Sequence, residues 1–405
     1  MATKAPWPPV DGGRLLQLLT LRELAKRRDE VEVDLVAPVA GGDTEGIDQA
    51  LAPLCRYELV EGGPRPLAVA ALLALVRGMP VTAARHSLTA VRSRVASSPR
   101  VPPFDVVHAE QVQAMPQALC GEAPVVLRAQ NVESELWRTG AAGAGPLAGW
   151  LGRREAVRLA RWEGEMLRRA ALTFALGDED AERLRALGGG GADVRVLPPP
   201  FPAELPAGPA LAGEPAVALL AGAGWRPTRE GAERFLAEGW PRVRREAPRA
   251  QLHVFGEAAG GGGGGEGVTR HPAPADAATA FPAGALLVVP LWTGSGVRMK
   301  VLEGWARGLP VVATPVAAAG LGVASGEELL AGDDPEALGA ALLTLAGDAD
   351  LRGRLVAAGR RRLEARHHPG RVATALLAGY RAVSDAPPRP PWDGRERRRQ
   401  PRPAP

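Results

Sequence analysis

At 405 residues and 46% hydrophobic content, the chain carries enough apolar material for two domains with separate cores. Basic residues outnumber acidic ones 49 to 45, but residues 386–405 alone hold six arginines against Asp393 and Glu396, so residues 1–385 are neutral overall and a nucleic-acid partner is not expected. Two cysteines, Cys55 and Cys120, form neither a disulfide framework nor a metal-ligand spacing, and the absence of a signal peptide points to the cytoplasm.

In chain order, residues 15–28 have helical periodicity and residues 31–36 alternate as a strand. Residues 67–76 are ten consecutive apolar positions, half of the roughly 20 a bilayer crossing needs. They predict a buried or amphipathic helix, with an interfacial helix that meets a lipid-linked acceptor as the alternative. Short buried strands are expected at 104–108 and 125–128, a long charged helix at 153–169, a strand at 172–176 and a helix at 178–187 with Asp178 as N-cap. Seven prolines in residues 198–215 mark an inter-domain linker. Alternation resumes with a strand at 216–221, a helix around 231–245 and a strand at 251–255. The six glycines 260–265 have no GxGxxG context and read as a surface loop. The Pro/Arg-rich segment 386–405 reads as a disordered tail.

Residues 285–321 are the most informative stretch. An apolar strand at 285–291 runs into Thr293-Gly294-Ser295-Gly296, then a helical pattern over 297–307 closed by Gly308 and Pro310, then a second apolar run at 311–313. This is a βαβ unit with a glycine loop at the strand-to-helix turn, where open α/β sheets bind ligands. Gly294 and Gly296 let backbone approach a phosphate, and the helix N-terminus favours an anion. Lys300 and Glu303 share one helix face, either as a cation for phosphate and a carboxylate for sugar hydroxyls, or as a surface i,i+3 ion pair. Only Lys4, Lys26 and Lys300 are lysines in an arginine-rich chain, and Asn131 is the one asparagine. Both facts weigh toward a function for Lys300 and Asn131.

GSGVRMKVLEGWARGLPVVAT resembles the donor-site signature of the family-4 retaining glycosyltransferases. PWPPVDGG at 6–13, RAQNVES at 128–134, RRAALTFALGDEDAERL at 168–184 and GWRPTREG at 224–231 resemble further family segments in the same order. The resemblance implies an α/β chain of GT-B fold: two doubly wound Rossmann-like domains facing across a cleft. Residues 1–197 form the acceptor-side domain, 198–215 the linker and 216–385 the nucleotide-sugar domain. Only MATKA precedes the first glycine loop, so the first strand of the first sheet is expected to be truncated or missing.

By the same resemblance, Gly294, Ser295, Gly296, Val297, Lys300 and Glu303 bind the donor, with Glu303 on the ribose. Arg226 and Arg229 could reach phosphate, Gly12, Gly13 and Arg14 form the acceptor-side loop, and Gln130, Asn131 and Glu133 form the catalytic segment. Three positions depart from the family pattern: Ser295 stands where a glutamate is usual, Gln130 where histidine is, and Thr228 where asparagine is. Glutamine can hydrogen-bond a sugar hydroxyl but cannot titrate. His108 and Glu110 could meet an acceptor or be packing; His367 and His368 do not have the look of a metal site.

The expected activity is transfer of a hexose from a nucleotide-sugar to a glycan or lipid-linked acceptor in polysaccharide biosynthesis, with retention and without a metal or other cofactor. Peripheral membrane contact at the inner face is part of that expectation. The alternative is a non-catalytic glycosyltransferase-like subunit that binds nucleotide or a partner. An epimerase of the same fold would call for more carboxylates and histidine, and a dinucleotide dehydrogenase for a GxGxxG that is absent.

Overall fold

The computed structural model describes residues 1–40, 46–96, 104–142, 145–222, 226–256 and 265–385. The tail 386–405, the glycine run up to Gly264 and Gly224-Trp225 of the GWRPTREG segment lie outside the described residues. Contacts divide the chain into two units: Met1–Leu197 with the chain from Val372 onward, and Pro198–Arg371.

In the first unit β1 (Asp34–Val39) pairs in parallel with β2 (Arg56–Glu61). A second parallel set runs β3 (Val107–Glu110), β4 (Val125–Ala129), β5 (Leu172–Ala175) and β6 (Val194–Val196) in that order. Residues 1–5 fill the gap between β1 and β3. Ala2 and Ala5 donate to the carbonyls of Val36 (3.0 Å) and Pro38 (3.2 Å); Met1 donates to His108 (2.8 Å) and accepts from Glu110 (2.9 Å). Residues 1–5 are thus an irregular strip bonded on both flanks, in the position of the central strand of a doubly wound sheet. Pro6, Pro8 and Pro9 end it, because proline brings no N–H to a ladder.

The second unit is one parallel sheet of β7 (Ala216–Leu220), β8 (Gln251–Phe255), β9 (Val268–His271), β10 (Leu286–Val289), β11 (Val311–Ala313) and β12 (Leu330–Ala331). Its spatial order is β12-β11-β10-β7-β8-β9. The winding direction reverses between β7 and β10, so the carboxyl ends of these neighbours form the topological switch point. Every residue of β10 and β11 is buried, as parallel strands covered on both faces require.

Several boundaries differ from the sequence expectation. The proline-rich segment is not free: Phe201, Leu205 and Gly208 donate to the carbonyls of His367, Ala306 and Phe281, all within the second unit. The second domain, expected at 216–385, ends at Arg371 in the first turn of the last helix, Pro369–Ser384, whose Val372, Leu376, Leu377 and Val383 pack with Leu172, Phe174 and Leu197 of the first unit. A Cβ at Gly379 would lie 2.4 Å from the Phe174 ring, so that approach depends on glycine. The helix expected around 231–245 is interrupted by a π-helical turn, Phe235–Gly239, just before Pro241, which cannot supply an intrahelical N–H. Asp178 is the first residue of its helix rather than the cap, which is Gly177. The apolar run at 67–76 does form a helix, Leu67–Arg77, but it is not buried: only Ala70 and Ala74 are.

Candidate functional site

The glycine loop leaves β10 at Pro290 and enters the helix Met299–Ala306 through Arg298 at the N-cap position. Gly294 (φ 142°) and Gly296 (φ 83°) both have positive φ, which a side chain would oppose. Three devices hold the loop. Leu291 N donates to the buried Thr314 hydroxyl at 3.3 Å, which in turn bonds the Leu291 carbonyl and caps the next helix at Ala317 N. Trp292 Nε1 donates to the carbonyl of Asp333 at 2.9 Å. A Cβ at Gly231 would stand 1.9 Å from the Pro290 carbonyl oxygen, so the helix Arg226–Arg234 touches the strand end backbone to backbone.

Lys300, on the first turn of Met299–Ala306, sends its Nζ to the carbonyl of Leu220, the last residue of β7, at 2.7 Å. The ammonium therefore lies across the switch point from its own strand. Burial, with Arg298 adding to it, pulls the Lys300 pKa down to about 7. Glu303, 8% exposed, does not pair with Lys300 but takes two hydrogen bonds on Oε1 from Arg307, at 2.9 and 2.8 Å. Desolvation raises the Glu303 pKa and Arg307 opposes that rise. The surface i,i+3 ion pair of the sequence reading is therefore absent: each partner has a different, partly buried role. Ser295 is buried, its carbonyl bonded by the Arg298 guanidinium.

Arg226 and Arg229 stand on an exposed helix face, paired with Glu230 and Glu233 at i,i+4. Nothing in that placement directs them at the loop.

In the first unit Gly12 and Gly13 are not a loop but the first turn of the helix Gly12–Ala25, capped by Asp11 through Arg14 N at 3.0 Å. Lys4 bonds the other Asp11 oxygen at 2.6 Å, and Arg14 folds back toward Pro8. A Cβ at Gly13 would meet Gln130 Oε1 at 2.6 Å, so this turn and the RAQNVES segment are in contact. Gln130 is held at both ends: its Nε2 donates to Glu110 at 2.9 Å and its Oε1 accepts from Gln111 at 3.0 Å.

Behind it lies a buried chain of charge. Arg128, 1% exposed, grips both Glu110 oxygens and donates to Thr20 Oγ1 at 2.8 Å. His108 Nε2 is 3.2 Å from Glu110, and Tyr380 of the last helix bonds His108 Nδ1 at 2.8 Å. Although the carboxylate is buried, Arg128 and His108 hold its pKa well below the usual range. His108 and Glu110 are therefore packing beneath the segment, not groups presented to an acceptor.

Glu133 is buried and hydrogen-bonded to Gln113 and Asn131, with desolvation raising its pKa. Its helix starts on Glu163, whose carboxylate accepts from Glu133 N (2.9 Å), Ser134 N (3.2 Å) and Ser134 Oγ (2.6 Å). Burial raises the Glu163 pKa to about 7. The sequence reading missed Glu163, although an acidic residue beside Leu159, Trp162 and Met166 on the apolar face of a helix was its signal. His367 is structural: buried, bonded to Pro199 O at 2.9 Å, its pKa pushed down to about 4 by desolvation. His368 Nδ1 accepts from Arg371 N at the start of the last helix.

Residues 215–348, which contain the glycine loop, match the model of the family described as Glycosyl transferases group 1. Among curated proteins none matches the chain by sequence. Solved structures match over nearly the whole chain. A sucrose-phosphate synthase from Thermosynechococcus elongatus superposes with TM-score 0.68 at 19% identity, covering 92% of this chain and 94% of that one. HepE of Anabaena, solved with UDP and glucose, gives 0.62 at 13% identity over 94% and 98%. A glycosyltransferase from Rickettsia africae gives 0.59 at 11% identity over 93% and 96%. The fold is that of the GT-B glycosyltransferases.

Proposed function

With its glycine loop inside a stretch that matches the group 1 glycosyl transferases, we propose that the chain transfers a sugar from a nucleotide-sugar donor to a glycan or lipid-linked acceptor. The observation that carries this reading is Lys300, a buried ammonium held across the switch point beside a glycine loop. The donor diphosphate lies at the start of the helix Met299–Ala306, where the backbone N–H groups of Ser295, Gly296 and Val297 and the Lys300 charge stabilise it as the sugar leaves. Glu303, kept in place by Arg307, accepts from the ribose hydroxyls. HepE, of the same fold, is solved with UDP-glucose, which supports a uridine donor carrying a hexose.

The finer parts of the proposal are retention of the anomeric configuration, charge neutralisation at the phosphate by the chain's own cations without a divalent metal, and work on polysaccharide at the cytoplasmic face. Gln130, Asn131 and Glu133 contribute the acceptor-side polar segment. Arg226 and Arg229 have no place in the donor site we propose.

One observation favours a second reading, a non-catalytic nucleotide-binding subunit. Where the family pattern has histidine, both ends of the Gln130 amide are engaged by Glu110 and Gln111.

The test is thermal shift of the purified chain against UDP, GDP, ADP, dTDP and CDP and their sugar conjugates, followed by donor-hydrolysis and transfer assays with and without a chelator. A rise in melting temperature with one nucleotide, lost in Lys300→Ala and Glu303→Ala, is expected. Turnover that survives chelation supports the enzyme; selective binding with no turnover of any conjugate favours the subunit. No shift with any nucleotide removes both readings.

A further inference from the structure

The helix Leu67–Arg77 leaves most of its apolar surface in solvent. Leu75 is 77% and Val76 75% exposed, and Leu67 and Leu72 are exposed too, with Arg77 the one charge on the helix. Ala70, Leu73 and Ala74 form the covered face, and the remaining apolar positions are open; exposed leucines are ordinary singly, but a contiguous apolar helix face left uncovered is not.

A second helix of the same unit, Pro146–Arg169, repeats the pattern. Leu147 (71% exposed), Trp150, Leu151 and Val157 form an exposed stripe at helical spacing. Arg153, Arg154, Arg161 and, near the helix end, Arg168 are the exposed charges there, with the Arg154 guanidinium 4.9 Å over the Trp150 ring. Of the acidic residues of that helix, Glu155 and Glu163 are buried, and Glu165 is half-buried and paired with Arg169 at 3.4 Å.

The two helices meet. Arg158 donates to the carbonyls of Met79 (2.9 Å) and Ala74 (3.4 Å), and Glu155 accepts from Val81 N. Leu151 and Arg154 stand one turn before that junction, and Leu75 is next to Ala74. Apolar side chains and arginines with no exposed acid among them are the composition of a surface that enters the interface of an anionic bilayer. A second copy of the chain is a poor occupant, since two such faces would bring arginines together.

We propose that Leu67–Arg77 and the exposed face of Pro146–Arg169 form a monotopic docking surface for anionic lipid. Leucine, valine and Trp150 side chains enter the acyl boundary, while Arg77, Arg153, Arg154 and Arg161 meet lipid phosphates. No helix among the described residues is long and apolar enough to cross a membrane, so attachment through this surface is peripheral and reversible. Lipid binding requires neither donor nor acceptor, so the proposal stands or falls independently of glycosyl transfer.

The test is co-sedimentation of the full chain with vesicles of phosphatidylcholine alone and of equal parts phosphatidylcholine and phosphatidylglycerol, with light scattering of the lipid-free protein. The wild type is expected to pellet with the anionic vesicles and not the neutral ones. The double variant Leu72→Gln/Leu75→Gln, at exposed positions, should keep its melting temperature and bind at least about ten-fold more weakly, since two buried leucines are worth more than the roughly 1.4 kcal/mol of one decade. Arg153→Glu/Arg154→Glu should lose binding at low salt, the condition where lipid charge acts furthest. Equal binding by wild type and Leu72→Gln/Leu75→Gln overturns the proposal. So does a dimer that these two glutamines dissociate, which would assign the face to a second copy.

Discussion

Lys300 Nζ lies 2.7 Å from the Leu220 carbonyl oxygen, joining the helix after β10 to the end of β7. A carbonyl is a weak partner for a desolvated ammonium, and the Lys300 pKa falls to about 7. An arriving diphosphate would restore the charge, so binding takes up a proton above that pH. Affinity for UDP should therefore fall as pH rises past about 7, by up to about ten-fold per pH unit. Lys300→Arg, charged throughout, should remove the slope. Calorimetry in two buffers of different ionisation enthalpy measures the proton uptake; a flat profile in the wild type would sink the phosphate role.

Gly231→Ala tests the loop's support. The added methyl meets the Pro290 carbonyl oxygen at 1.9 Å, backbone against backbone, with no flexible side chain to yield. A loss of about 2–3 kcal/mol in denaturant unfolding is expected, together with weaker nucleotide binding. Unchanged stability would mean that the helix Arg226–Arg234 is not packed against the strand end.

Gly13→Ala separates stability from activity. Alanine in a helix gains about 1 kcal/mol over glycine. The new Cβ, however, meets Gln130 Oε1 at 2.6 Å and shifts the amide away from its bonds to Gln111 and Glu110. That gain and the loss of the Gln130 bonds roughly offset each other, so stability should stay within about 1 kcal/mol of the wild type, while transfer falls at least about ten-fold if Gln130 serves the acceptor. Full activity in this variant would leave Gln130 a packing residue.

Glu163 makes stability depend on pH. Its carboxyl titrates near the ordinary 4.5 when unfolded and near 7 when folded, so the folded state holds the extra proton between those values. The contribution is complete below the unfolded pKa and lost as pH rises through the folded one, about 3 kcal/mol in all. Glu163→Gln should flatten that part of the curve. Guanidinium midpoints of the two proteins at about pH 5 and pH 8 provide the comparison, and parallel shifts in both would reject the assignment.

The glycine loop, its βαβ frame and the shared face of Lys300 and Glu303 were legible because all three depend on spacings of a few residues, set by the strand and helix repeats. The pairing of that face was not. Glu303 chose Arg307, one turn on, and Lys300 chose a carbonyl eighty residues away, which depends on β7 and β10 being neighbours.

Other features show the same division. Arg128, Glu110, His108 and Tyr380 form one buried network, yet Tyr380 lies 272 positions from His108. No periodicity joins them; the last helix must first leave the second unit and pack its apolar stripe on β5. The run at 67–76 declares its helix through composition, whereas burial is a matter of which surfaces remain to cover it, and among the described residues only the face of Ala70, Leu73 and Ala74 is covered. Residues 1–5 are too short and too close to prolines to read as a strand. They hold the central position because β1 and β3 leave unpaired backbone on either side, and buried peptide groups must find partners. Local chemistry set the elements and the glycine loop; long-range packing set their partners, because burial, charge pairing and hydrogen bonding are completed only between segments that the folded chain brings together.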